Sequence, residues 1–272
     1  MSSICRTLGV SRSNLYTQLP KAEIPKRKRK SNKERDGLLL SSIKETLKER
    51  PTYGYRRITI ILRKKLRIAI NHKKVYRIMK ENQLLLQRYA SKPLRVHDGK
   101  VATLKSNLRW CSDIFAIQCW NGDRAIVAFA QDCHDREIIS WIASSKGVDG
   151  SMIRDLMTES LEKRFGRASK VPYPLQWLSD NGPQYVARDT VHFGRLLGLE
   201  ICTTAPYSPE SNGMAEAFVK TFKRDYVVFG NLSSAHKVIE QLPLWFEDYN
   251  EKAPHKGLKM LSPREYRRKV AA

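Results

Sequence analysis

No stretch of this chain is apolar for long enough to enter a bilayer. The longest uninterrupted apolar run is Ala125 to Ala130, far short of the ~20 residues that a spanning helix needs, and the first residues carry no secretory signal pattern. Cysteine is sparse: Cys5, Cys111, Cys119, Cys133 and Cys202 are odd in number and scattered, with no Cys-x-x-Cys pair. That argues against a disulfide framework and a zinc site, and fits a reducing cytoplasm. Acidic residues are scarce in one region only. Residues 1 to 106 hold 28 Lys/Arg against 7 Asp/Glu, whereas residues 107 to 272 hold 22 against 20.

With a formal charge of +23 over 272 residues, nearly all of the excess lies in the first part. Clustered Lys/Arg gains affinity for polyanions by releasing phosphate counterions, so nucleic acid is the expected partner. A neutral module follows the basic arm. Ser3 to Tyr16 places Gly9 between two short apolar-periodic stretches, with Ser11 positioned to cap the second, which reads as a partial helix-turn-helix over 1–19. In residues 20–33 the adjacent charges of Lys26-Arg-Lys-Arg-Lys30 repel one another and cannot pack, so the tract is a basic linker or a flexible arm on phosphates.

Residues 34–90 form a basic helical domain of helix-turn-helix type. Leu38, Leu39, Ile43 and Leu47 have helical spacing up to Pro51, a second helix starts in Tyr53-Gly-Tyr-Arg-Arg57, and a third runs from His72 to Asn82. Arg56, Arg57, Lys73, Lys74 and Arg77 suit contact with a DNA backbone. After a linker at 91–106 the pattern turns to strands. Three strands over Asp113–Cys119, Ala125–Ala130 and Glu137–Ser144 precede alternating helices and strands, giving the order βββαβαβα over a core at 107–272 that closes with helices. This is the order of a ribonuclease H-like α/β fold with a mixed sheet.

Three acids stand out in that core. Asp113 lies in the first strand, Asp180 ends Leu175 to Asp180, and Glu216 lies in a helical run after Ser208-Pro-Glu-Ser-Asn-Gly213; 66 and 35 residues separate them. Gathered together they form an oxygen-donor site for a hard divalent cation. The ordinary alternative is that Asp180 makes a turn and Glu216 is solvated. Lys220 and Lys223 follow Glu216 on one helix face, either to hold DNA or to pair with neighbouring acids.

The chain resembles the catalytic, OrfB-type transposases of bacterial insertion sequences, the DDE class with a retroviral-integrase-like core. The resemblance rests on Cys5 to Ser13, Tyr53 to Arg57, Trp110-Cys-Ser-Asp113, Leu178 to Gln184, Ser208 to Glu216 with Phe218 to Asp225, Tyr249-Asn250, His255 to Leu258 and Ser262-Pro-Arg264. It implies that Asp113, Asp180 and Glu216 bind Mg²⁺ or Mn²⁺ and catalyse strand cleavage and strand transfer on double-stranded DNA. Asn181, Gly182 and Ser211 to Gly213 then shape loops around the acids. Homo-oligomeric assembly on DNA and an upstream-frame OrfA partner or fusion are also implied. The paired His and Cys of an integrase zinc module are absent, and no sustained heptad appears. A DNA-binding regulator and a ribonuclease H-type nuclease are the competing expectations.

Overall fold

The computed structural model describes residues 2–7, 9–11, 33–87, 103–166, 170–204 and 212–271. The helix expected after Ser11, the basic tract through Asn32, residues 88–102 and residues 205–211 before Glu216 lie outside the described residues. By its contacts the chain divides into Met1–Ser41 and Ser42–Ala272. The first unit holds α1 (Ser2–Thr7) and the start of α2 (Lys33–Glu49).

The second unit opens with two amphipathic helices. In α3 (Tyr55–Leu66) the buried Ile58, Thr59 and Leu62 recur at intervals of one to four, and in α4 (His72–Glu81) Val75, Ile78 and Met79 do the same. The Asn71 side chain caps α4 by accepting from the Lys73 amide at 2.9 Å, which satisfies one of the orphan donors of the first turn.

The core sheet comprises β1 (Arg109–Gln118), β2 (Arg124–Asp132), β3 (Ile138–Ser144), β4 (Leu175–Ser179) and β5 (Leu199–Thr203), in the order β3-β2-β1-β4-β5. The first three strands are antiparallel, and β4 and β5 join in parallel. That is the ribonuclease H-like α/β arrangement, with β1 at the centre. It begins at Arg109, earlier than the alternation of apolar residues predicts, because Arg109 to Cys111 pair with Gln176 to Leu178 and Arg109 Nε donates to Gln176 Oε1 at 2.7 Å.

Both faces of the sheet are covered, as its parallel strands favour. On one face Trp110, Ala128, Trp177 and Leu199 pack with Ile153, Leu156 and Met157 of α5 (Gly150–Phe165), beside α6 (Pro183–Val186) and α7 (Arg188–Leu196). On the other, Cys111, Phe115, Val127 and Phe129 meet Phe218 and Phe222 of α8 (Gly213–Asp225) and Val238, Leu242 and Phe246 of α9 (Ala235–Lys252). A last helix, α10 (Pro263–Ala271), is tied down by Arg264, which bonds Glu137, Glu247 and Glu251.

The helical pair α3 and α4 is joined to this core by charge. Asp225, at the end of α8 and nearly fully buried, accepts from Thr52 Oγ1 at 2.6 Å and from Arg57 at 2.9 Å. Arg50 pairs with Asp248 and Lys64 with Glu265, each at 2.5 Å. Among the described residues no helix is long and apolar enough to cross a membrane.

Candidate active site

Side chains along a strand alternate between faces, so Asp113 shares the side of β1 that carries Cys111 and Phe115 and therefore faces α8. Parallel pairing then sets its neighbour. Arg109, Trp110 and Cys111 are level with Gln176, Trp177 and Leu178, and the same offset carries Asp113 level with Asp180, one residue beyond the end of β4. Glu216 sits in the first turn of α8, over the same face. Asp113 thus lies midway along β1 and Asp180 just past the end of β4, with the first turn of α8 on the Asp113 side of the sheet.

Their charges sense one another. The Asp113 carboxyl is pushed up to about 6: burial is the largest cause, the Ile114 amide hydrogen bond opposes it, the negative charges of Asp180 and Glu216 add to the rise, and Lys223 lowers it. Asp113 Oδ1 accepts from the Ile114 amide at 2.8 Å and Asp180 Oδ1 from the Gly182 amide at 3.0 Å, so each carboxylate has one oxygen held. Among the described residues, no three His, Cys, Asp or Glu side chains are drawn close enough to hold a single ion. The donor set nevertheless fits a hard cation: three carboxylates, one of them raised by two anionic neighbours that a divalent charge would neutralise.

Ser112 ties the three acid-bearing segments together. The Ser112 hydroxyl and the Tyr185 hydroxyl share a hydrogen bond of 2.7 Å, and the Ser112 carbonyl accepts from Asn212 Nδ2 at 3.3 Å. Ser112 adjoins Asp113, Tyr185 lies five residues after Asp180 in the short helix α6, and Asn212 precedes the helix of Glu216. Ser112 and Asn212 each lie inside a motif that carries the family resemblance, but Tyr185 does not, and the partnership of the three is purely tertiary. Asn181 Nδ2 donates to the Thr204 carbonyl at 3.0 Å, fastening the turn after β4 to the end of β5. At Gly182 a Cβ would meet Asp180 Oδ1 at 3.0 Å, so a side chain there crowds the acid.

The cationic candidates divide by position. Lys223 reaches over the Phe115 ring, with Nζ 5.7 Å from its centroid, on the same side of the sheet as Asp113, whereas Lys220 is exposed further up α8. Arg56 is exposed and lies against Tyr55; Arg57 is engaged with Asp225 and stacks on Tyr53 at 4.7 Å. On α4, Lys73 is exposed, Lys74 is half-buried and Arg77 pairs with Glu81 at 3.1 Å. The structure brings Arg57 to Asp225 at the end of α8, the helix of Glu216, an arrangement that sequence spacing does not reveal.

Family models agree with this architecture. An HTH-like domain matches residues 33–92 and two integrase core domain models match residues 104–209 and 197–263. The transposase InsD of insertion element IS2A/D/F/H/I/K from Escherichia coli is 44% identical over 278 residues, covering 100% of this chain and 92% of that protein. The chain belongs to the insertion-element transposase family. The InsD of element IS2-9 from Escherichia coli strain K12 is also 44% identical, with 90% of its length covered. Solved structures similar to this transposase include the catalytic core of BIV integrase, 19% identical over 61% of this chain and 96% of that one, with a TM-score of 0.42. The Mos1 transposase catalytic domain, solved with raltegravir and Mg, is 19% identical over 61% of this chain and 83% of that one, with a TM-score of 0.45. As a member of this family with an integrase core, the chain is a polynucleotidyl transferase of DNA transposition.

Proposed function

We propose that Asp113, Asp180 and Glu216 are the DDE carboxylates of this transposase, and that they hold Mg²⁺ or Mn²⁺ while a phosphodiester at the element's end is cut and joined to target DNA. The observation that carries the reading is the parallel register that sets Asp113 level with Asp180, on the sheet face covered by the helix of Glu216. The bound ion supplies Lewis-acid polarisation of the phosphodiester and a more acidic water or hydroxyl nucleophile.

The protein's own contribution is orientation and charge. The Ile114 and Gly182 amides each fix one carboxylate oxygen. Ser112, Tyr185 and Asn212 keep the three segments in register. Lys223 and Lys220 are placed to hold a DNA phosphate near the acids, and Arg56, Arg57, Lys73, Lys74 and Arg77 to hold the flanking duplex. The domain limits given by sequence, an OrfA partner or fusion, homo-oligomeric assembly on DNA and a cytoplasmic location belong to the same proposal.

The test is strand cleavage and joining on a duplex carrying the element's end, with Mg²⁺ supplied. Asp113→Asn, Asp180→Asn and Glu216→Gln are each expected to lose at least 1,000-fold, on the order of 4 kcal/mol of transition-state stabilisation, while still binding the duplex. Activity retained in Asp113→Asn removes the assignment.

A further inference from the structure

The seam between α3 and the end of α8 encloses an open cavity of about 290 Å³ lined by Thr52, Gly54, Tyr55, Arg56, Arg57 and Arg224. We infer that this cavity is a seat for one backbone phosphodiester of the DNA, gripped jointly by the helix-turn-helix-like region and the helix that carries Glu216. The inference rests on DNA being the substrate, and adds where the duplex is held relative to the acids.

Three features argue for an anion of this kind. The first is charge: the lining carries three guanidinium groups, and among the described residues the one carboxylate in contact with them is Asp225, whose side chain is only 2% exposed. The second is preorganisation. Arg224 clasps Asp225 through Nε at 2.6 Å and through a terminal nitrogen at 2.7 Å, Arg57 reaches the same carboxylate at 2.9 Å, and Arg56 is braced on the Tyr55 hydroxyl at 3.1 Å. A guanidinium has five N–H donors, so each arginine retains donors for a ligand, and fixing them in advance reduces the entropy lost on binding. The third is shape: planar, forked guanidinium groups match phosphate oxygens.

Position makes the seat useful. Arg224 lies eight residues beyond Glu216 on one helix, roughly 12 Å along the axis at about 1.5 Å per residue. That is three to four nucleotides of one strand at about 3.4 Å each.

The experiment uses the full chain with an end-bearing duplex in EDTA, so that no strand is cut, and reads affinity by fluorescence anisotropy across a salt series. Arg56→Gln and Arg224→Gln are each expected to weaken binding on the order of tenfold and to flatten the slope of log K against log salt by about 0.9, equally on an unrelated duplex. Arg56→Lys, which keeps the charge, should restore the slope. Arg56 is exposed and forms no ion pair with a carboxylate among the described residues, so its variant tests the seat even where Arg224→Gln disturbs the fold. A scan of single neutral methylphosphonates should find one, three or four nucleotides from the scissile phosphate, whose loss is not additive with Arg56→Gln. Unchanged slopes in both Gln variants overturn the proposal, as does a native-like difference that millimolar inorganic phosphate abolishes, which assigns the cavity to a free anion. Asp113→Asn binding with the native slope, whatever its activity, separates this result from the fate of the catalytic reading.

Discussion

Asp113 is a carboxylate whose surroundings oppose its ionisation, and that cost has a measurable sign. Its folded value of about 6 lies above its ordinary 3.8, so the native state binds the proton more tightly than the unfolded chain does. The resulting stabilisation is complete below about pH 4 and is lost as pH rises through about 6. Without metal, Asp113→Asn should therefore melt at nearly the wild-type temperature at about pH 4. At about pH 7.5 it should be more stable by on the order of 1–2 kcal/mol, a figure reduced for the partial solvation of the group. Saturating Mn²⁺ should raise the melting temperature of the wild type alone. Thermal melts in EDTA at the two pH values decide the matter; an Asn variant less stable at both would mean that the acid is satisfied by contacts other than a cation. His255 shows the opposite use of burial: it is held down to about 3, first by desolvation and then by the positive charges of Arg136 and Arg57, and so stays neutral as a packing group against Tyr249.

At the scale of elements, Asn250 shows how a helix completes a strand. It lies buried on α9, where its Oδ1 accepts from the Ile138 amide and its Nδ2 donates to the Ile138 carbonyl, both at 2.9 Å. The two bonds imitate a ladder pair at the start of β3, so a polar helix residue does what a further strand would do. Asn250→Ala leaves both backbone groups unpaired and should cost roughly 2–4 kcal/mol. A shifted denaturant midpoint with an unchanged slope is the expected reading; a loss below 1 kcal/mol would show that water replaces the amide. Much of this level is legible in sequence. Leu175 to Ser179 and the spacing of Val75, Ile78 and Met79 announce a strand and a helix because burial of one face imposes a period. Asn250 is visible only as part of a motif, since a side chain that pairs with a distant backbone leaves no period behind.

The whole molecule depends on contacts that no local pattern predicts. The element order, with Asp113 on the first strand and Asp180 just past the fourth, is legible in the chain alone. The union of α3 with the helix of Glu216 is not, because Arg57 and Asp225 are 168 residues apart and charge pairing at that distance carries no periodic signature. Burial raises the Asp225 carboxyl, yet the hydrogen bonds from Arg224 and Thr52 and the charges of Arg224 and Arg57 more than offset this and hold it below its ordinary value. Its ionised form is thus a fastening between the region that approaches DNA and the helix that carries Glu216. Asp225→Asn keeps the shape but strands two arginines, and because both are partly solvated the cost should be about 2 kcal/mol. Hydrogen exchange locates the damage: amides of Ile58 to Leu62 should lose protection by that amount while those of Ala128 to Ala130, deep in β2, lose far less. Strand joining should then fall more than duplex binding does, since each part still holds DNA but no longer holds it in a fixed relation to the acids. Equal loss of protection in α3 and β2 would show instead that Asp225 supports the core as a whole, and the coupling between DNA grip and catalysis would have to reside elsewhere.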